Sequence, residues 1–476
     1  MRRTSLAGPV LLILIGVLFL VRNLKPELVS WELVARYWPV VLIGWGLLRV
    51  IEILYWWLTS RPLPPKGLSG GEWVLAMFIC LLGAGISAAY RYAPRLPPLV
   101  IHGKTVELFG EAYDYPVSAK QAAPGVRRIK IEVPRGNTRV MGSQGSEIEL
   151  SGRKTIRTFS RTLADRLDRA TAVEIQVNGA EAIVRVRSDE PPLSEERSGP
   201  VTPPPARIST DLELTVPRQV SLHVSGRHGD FDILHVDGDV EIMSDRAGVR
   251  LQEIGGKVRV ELRRSDIVRA VQVRGSVTIS GRASDVELEE VSGPVEVSGY
   301  YSGDLRFRKL AGPLVFQSGN TELRLARLPG QLHLDLGDLN GSGIEGPIRF
   351  RARSRDVKLE DFSEELDLSV ERGDLELSPG RAPLPRITAV TETGDVELVI
   401  PEGARFALEA VAERGEVTND FGPPLAVSTE RRGASLKGAT GPGPAISVRT
   451  HRGSIWVRKE PAGRPTRPVE QARRLL

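Results

Sequence analysis

The sequence predicts an all-β repeat domain, a two-sheeted β-solenoid of about 18 residues per unit, preceded by three transmembrane α-helices. Three observations carry that reading. Long apolar runs are concentrated in residues 1–92, whereas the rest of the chain is poor in aromatics and rich in glycine. Beyond Gly229, two hydrophobic phases recur in step.

The apolar runs are residues 6–21, 38–58 and 73–90. Each is close to the ~17–25 residues that cross a bilayer as a helix, and Trp31, Trp38, Trp56, Trp57 and Trp73 stand where interfacial tryptophans belong. A cleaved signal peptide fits the first run poorly, because two more runs follow at once and no small-residue cleavage site intervenes. Three spans place the termini on opposite sides of the membrane. Arg2, Arg3, Arg61 and Lys66 flank one face; Arg22, Lys25, Arg36, Arg91, Arg95 and Lys104 flank the other. The positive-inside count leans by a small margin towards a cytoplasmic C-terminal domain. Inside the second run, Arg49 and Glu52 stand at helical i, i+3 spacing. They are either a self-neutralising pair that snorkels to the headgroups or a coupling site for a partner membrane protein.

"GPVLLILIGVLFLVRNL", a short polar loop and then "WPVVLIGWGLLRV" resemble the transmembrane region of LiaF-type bacterial envelope-stress proteins, over Gly8 to Val50. The resemblance implies a bacterial cytoplasmic-membrane protein and raises a regulatory role in two-component signalling.

Residues 93–124 read as a linker with Pro94, Pro97, Pro98 and Pro116. Residues 125–228 read as β-rich. Within them "RRIKIEVPRGNTRVMG" alternates like a half-buried strand pair, and "TFSRTLADRLDRATA" reads as a helix with Leu163, Leu167 and Ala170 on one face. Asn178-Gly179 marks a hairpin, and 191–205 is a proline-rich loop.

From 229 to 459 the repeat takes over. One phase runs Phe231, Val249, Ile267, Val286, Leu305, Leu323, Leu339, Val357, Leu375, at spacings of 18, 18, 19, 19, 18, 16, 18 and 18. The other runs Val240, Val258, Val277, Val295, Leu314, Leu332, Ile348, Leu366. Each unit therefore makes two short strands with glycine-bearing turns between them. Such a unit cannot bury its apolar face alone, but stacked units share one core. Stacked hairpins in a β-sandwich are the alternative architecture. Longer turns after about Thr393 read as closing coils, and 460–476 as a disordered basic tail.

"TDLELTVPRQVSLHVSGRHGDFDI", the recurrent Gly-Asp-Val turns and the closing "TGDVELVIP" are similar to a bacterial adhesin-type repeat family, a domain of unknown function, over Arg127 to Lys459. The resemblance implies display outside the cytoplasmic membrane, against the charge count, and contacts to envelope polymer or protein partners.

No chemistry stands out for catalysis or a cofactor. The net charge of +5 is spread through the chain, without the aromatic–basic platform of a nucleic-acid binder. Cys80 is the only cysteine, so neither a disulfide within the chain nor a cysteine metal site can form. Gly67-Leu68-Ser69-Gly70-Gly71 matches G-x-S-x-G but lies between membrane runs. Gly341, Gly343 and Gly346 match G-x-G-x-x-G, but Pro347 follows and no helix receives a phosphate there. His223, His228 and His235 fit no zinc spacing, and Asp230, Asp239, Asp304, Asp374 and Asp395 read as turn residues rather than calcium ligands. The expectation is a non-enzymatic binding, scaffolding or sensing protein that needs no cofactor or metal.

Overall fold

The computed structural model describes residues 111–158, 161–188, 207–380, 383–429 and 431–460, together with the strands Val100–Ile101 and Lys104–Thr105 and scattered helical residues between 39 and 85. Most of the three apolar runs, Arg49, Glu52, the 67–71 motif, the 191–205 loop and the tail lie outside the described residues. Among the described residues no helix is long and apolar enough to cross a membrane. The chain divides into two compact units: residues 1–117, 153–173 and 186–210, and residues 118–152, 174–185 and 211–476.

In the first unit the predicted helix forms as Arg161–Ala170. Ala164 and Leu167 join Ile156 in its core, with Leu163, Tyr113, Tyr115 and Ile208 packed against them. Ala164, not Ala170, completes the buried face. Beneath the helix, the buried ammonium of Lys154 donates to the carbonyls of Asp168 (2.8 Å) and Thr171 and pairs with the Asp168 carboxylate at 2.6 Å. A buried charge needs such partners.

The second unit is all-β and repeats as expected. Successive coils hydrogen-bond in parallel through two ladders. In the first ladder, Ile129, Leu222, Val240, Val258, Val277, Val295 and Leu314 stand beside one another. In the second, Val140, Ile233, Leu251, Ala270, Leu288 and Phe307 do so. Alternate side chains of both ladders are buried, so Val, Leu and Ile fill the core, with Phe231, Phe307, Phe316, Phe350 and Phe406 fully enclosed. The expected strand pair "RRIKIEVPRGNTRVMG" is present. Its strands Arg128–Arg135 and Thr138–Ser143 belong to different ladders of one coil.

Register corrects three positions of the repeat. Val268, not Ile267, stands between Val249 and Val286, and Ile267 lies beside Asp285. The true steps from Phe231 are 18, 19, 18 and 19. Leu323 and Leu332 exchange ladders: Leu323 lies opposite Phe316 and Leu332 opposite Phe307. The cause is a reversed coil. Strand Thr321–Leu334 runs antiparallel to Leu305–Leu310 and Leu314–Ser318, and Asp338–Ser354 turns back antiparallel to it. Parallel stacking then resumes with Asp356–Phe362 and Glu365–Arg372.

Both ends of the stack are built out of sequence order. Residues 181–185 and 212–217 lie outside the earlier strands Arg128–Arg135 and Thr138–Ser143. At the other end Ala445–Arg452 inserts between Arg386–Thr393 and Ala407–Ala412. The antiparallel strands Ala434–Ala439 and Ala426–Thr429 then continue from Ala407–Ala412, so this ladder does not end on a parallel edge, whereas the other ends on Val417–Asn419, parallel to Ile455–Lys459.

Two polar ladders fix the corners. Asp211 accepts the Asn137 amide (2.8 Å), Asn137 that of Asp230 (3.0 Å), and Asp230 that of Gly248 (2.9 Å). In the same way Asp356 accepts from Asp374, Asp374 from Asp395, and Asp395 from Ser454, at 2.7–2.9 Å. Along another corner His235, Glu253, Gln272, Glu290 and Lys309 all adopt left-handed backbone, φ 51–58°. Their side chains join across coils: His235 to Glu253 at 2.8 Å, Gln272 to Glu290 at 3.1 Å, and Lys309 to Glu290 at 2.7 Å. At Gly299 (φ 144°) only glycine fits, because a Cβ would fall 1.9 Å from the Gly281 carbonyl oxygen.

Two stability predictions follow from these corners. Asp374→Ala orphans the Asp395 amide and costs about 1–3 kcal/mol, whereas Asp374→Asn keeps an acceptor and costs less. Gln272→Val puts a β-branched side chain into left-handed backbone and costs about 1–3 kcal/mol, while Gln272→Gly stays within about 1 kcal/mol of the parent. Urea unfolding midpoints of the full chain in detergent check both.

Candidate functional site

The reversed coil changes the outer surface of the second ladder. Four strands lie side by side there: Leu305–Leu310, Thr321–Leu334, Asp338–Ser354 and Asp356–Phe362. Strand alternation sends every second side chain outward. The cross-strand partners consequently form two rows, Arg306–His333–Asn340–Lys358 and Arg308–Gln331–Ser342–Glu360. A groove of about 470 Å³ lies along these rows, with Leu332 and Gly341 also in its lining.

Two of its three cations are ion-paired. Arg306 donates to Asp304 at 2.8 Å, and Lys358 pairs with Glu376 at 2.8 Å and with Glu360 at 3.7 Å. The hydrogen bond to Glu376 raises the Lys358 pKa, so its ammonium stays charged at any physiological pH. Arg308 is not ion-paired within the described residues, and the groove also presents the amides of Gln331 and Asn340 and the Ser342 hydroxyl. Guanidinium, ammonium, amide and hydroxyl groups on one open surface suit an anionic, hydroxyl-rich ligand.

The residues singled out in the sequence take other places. Arg49 and Glu52 fall outside the described residues. His223 pairs with Glu241 at 3.1 Å in the first ladder, and His235 with Glu253 in the second. Of the five Gly-Asp aspartates, Asp230, Asp239, Asp374 and Asp395 spend an oxygen on a backbone amide of the neighbouring coil. Asp304 is the exception, since the coil beside it is reversed; its carboxylate meets Arg306 and His333 instead. Gly341, Gly343 and Gly346 lie within the strand Asp338–Ser354, where φ of 65° and 91° at the last two bends it between ladders. The groove went unread in the sequence, although the 16-residue step from Leu323 to Leu339 marks the place.

Comparison with known proteins gives two family matches. Residues 126–458 match the family model described as Toastrack DUF4097, and residues 6–48 match the LiaI-LiaF-like transmembrane region. Among solved structures, a candidate cell adhesion protein of Clostridium sporogenes is 7% identical, with 74% of this chain and 100% of that one covered, at a TM-score of 0.17. A candidate adhesin of Bacteroides fragilis is 10% identical (73% and 97% covered, TM-score 0.18), and one of Parabacteroides distasonis 9% (73% and 97%, TM-score 0.20). No curated protein matches the chain.

His228 carries a pH dependence. It lies in register between Arg135 and Arg246, and burial, then these two arginines, lower its pKa. The folded state thus resists a proton that the unfolded chain accepts near pH 6.5. Its contribution is intact above about pH 6.5 and is lost as pH falls from there towards the lowered folded value. Urea midpoints between about pH 7 and 5 should drop less for His228→Gln than for the parent.

Proposed function

We propose, from the premise that this chain belongs to the Toastrack DUF4097 family, that it is a membrane-anchored, non-catalytic protein displaying its β-repeat domain to bind anionic polymer of the cell envelope. The observation that carries the reading is the two-row groove, where Arg306, Arg308 and Lys358 outnumber the single carboxylate of Glu360 around amide and hydroxyl groups. Such a surface holds phosphate or carboxylate groups by charge and the neighbouring hydroxyls by amide and serine contacts. The repeat suits this role: contacts of modest individual strength add along a polymer that engages several coils.

The LiaI-LiaF-like match supports anchoring in the membrane. In the three-span reading, residues 6–21, 38–58 and 73–90 cross the bilayer, and the domain lies on the extracytoplasmic side of a bacterial cytoplasmic membrane. The same match favours a second reading, a regulator of envelope-stress signalling whose spans bind a membrane partner; Arg49 and Glu52, just beyond the matched residues, would be its contacts.

Alkaline phosphatase and fluorescent-protein fusions after Lys459 separate the two. Active phosphatase supports envelope binding, while a fluorescent, phosphatase-silent fusion removes it and leaves the regulatory reading. On the purified chain, a poly(glycerol phosphate) probe should bind in a salt-sensitive manner, and Arg308→Glu should weaken it by roughly tenfold or more at low salt. Unchanged binding by that variant would exclude the groove.

A further inference from the structure

The exceptional place of Asp304 has a chemical consequence. One of its oxygens, Oδ2, accepts from Arg306 at 2.8 Å, which turns Oδ1 towards Nε2 of His333 at 3.5 Å. That nitrogen is shut off from solvent, yet has no hydrogen-bond partner. Two residues on, Oδ1 of Asp335 accepts the amides of Gly337 (2.8 Å) and Asp338 (2.7 Å), which fixes the carboxylate and leaves Oδ2 uncommitted. One donor atom from each of Asp304, His333 and Asp335 lies within 4.8 Å of the other two, and all three residues are half-buried.

A solvent-excluded imidazole nitrogen without a hydrogen bond calls for a partner. The 3.5 Å separation excludes a good hydrogen bond to Asp304. It is close to the edge, about 3.4 Å, of a tetrahedron whose metal–ligand bonds are ~2.0–2.1 Å. Two carboxylates and one imidazole are also the donor set of a borderline divalent ion, rather than of calcium, which takes six or more oxygens.

We propose that Asp304, His333 and Asp335 form a binding site for a divalent transition-metal ion of the zinc type at the edge of the groove. Each ligand is held by backbone. His333 stands in register with Arg306 across the reversed strand, Asp304 immediately precedes that neighbouring strand, and the turn amides hold Asp335. Arg306 and Arg355 lie close to the two carboxylates and offset part of their charge. Three protein ligands leave a coordination position open, and His333 lines the groove as well. The site itself rests on the three side chains and not on the identity of the groove's ligand.

The test uses the untagged full chain in detergent, stripped with a chelator and titrated with Co²⁺. One equivalent should produce a visible d–d absorption that Zn²⁺ abolishes. His333→Gln and Asp335→Asn should each weaken Co²⁺ binding by roughly tenfold or more. Asp335→Asn keeps the acceptor for the turn amides; should His333→Gln lose the strand signal in circular dichroism, Asp335→Asn decides. The absence of a saturable Co²⁺ spectrum, or a spectrum that a correctly folded variant leaves unchanged, would overturn the site. Loss of polymer binding with the metal site intact would count against the groove reading alone.

Discussion

Everything in the repeat domain depends on parallel coils stacking in register, residue upon equivalent residue. A strand shifted by one position would turn its apolar set outwards, so the step of 18 or 19 residues is fixed by the core. Stacking like on like has a cost at the surface, where an exact repeat would pile like charges together. At some positions the chain alternates them, although Arg250 still faces Arg269 and Glu376 faces Glu397. Arg269 faces Glu287 at 3.3 Å, and Arg349 faces Asp367 at 3.1 Å. These exposed pairs contribute little energy singly, but they select the register that like charges would disfavour. The aspartate and left-handed ladders do the same at the corners, where each coil satisfies the backbone of the next.

The reversed coil breaks that rule once within the stack, and the groove is its product. Antiparallel pairing brings residues nearly thirty positions apart, such as Arg306 and His333, into one row, which no parallel coil would do. It also frees Asp304 from the corner ladder, the one Gly-Asp turn in the sequence reading whose carboxylate does not serve a neighbouring amide. The groove thus forms where the reversed coil meets its regular neighbours, which supply Arg306, Arg308, Lys358 and Glu360.

Much of this was legible before any coordinates. The two phases from Phe231 to Leu314 predicted parallel stacking because aliphatic positions recur at coil length, and the helix at Arg161–Ala170 followed from its spacing. Errors arose where local pattern is ambiguous. Ile267 and Val268 are adjacent and equally apolar, so only the irregularity between Leu262 and Ser265 decides between them. Leu323 and Leu332 each fit a phase of a parallel coil, and a period cannot report chain direction. The out-of-order end coils were illegible because Ile129 meets Ala182 and Val396 meets Ile455 through contacts distant in sequence. The metal-type cluster was hidden for the same reason, since Asp304 and His333 share no motif.

The reversed coil is the claim on which the groove stands, and cysteine cross-linking tests it most directly. In a Cys80→Ser background, Arg306→Cys with His333→Cys places thiols on facing residues of an antiparallel pair, whose Cα atoms lie about 4.5–5.5 Å apart. Arg306→Cys with Arg324→Cys places them one regular parallel step of 18 residues apart. Under mild oxidation the account predicts an intramolecular disulfide in the first variant and none in the second. A disulfide in the second and none in the first would mean that the coil runs parallel, and that the groove does not exist.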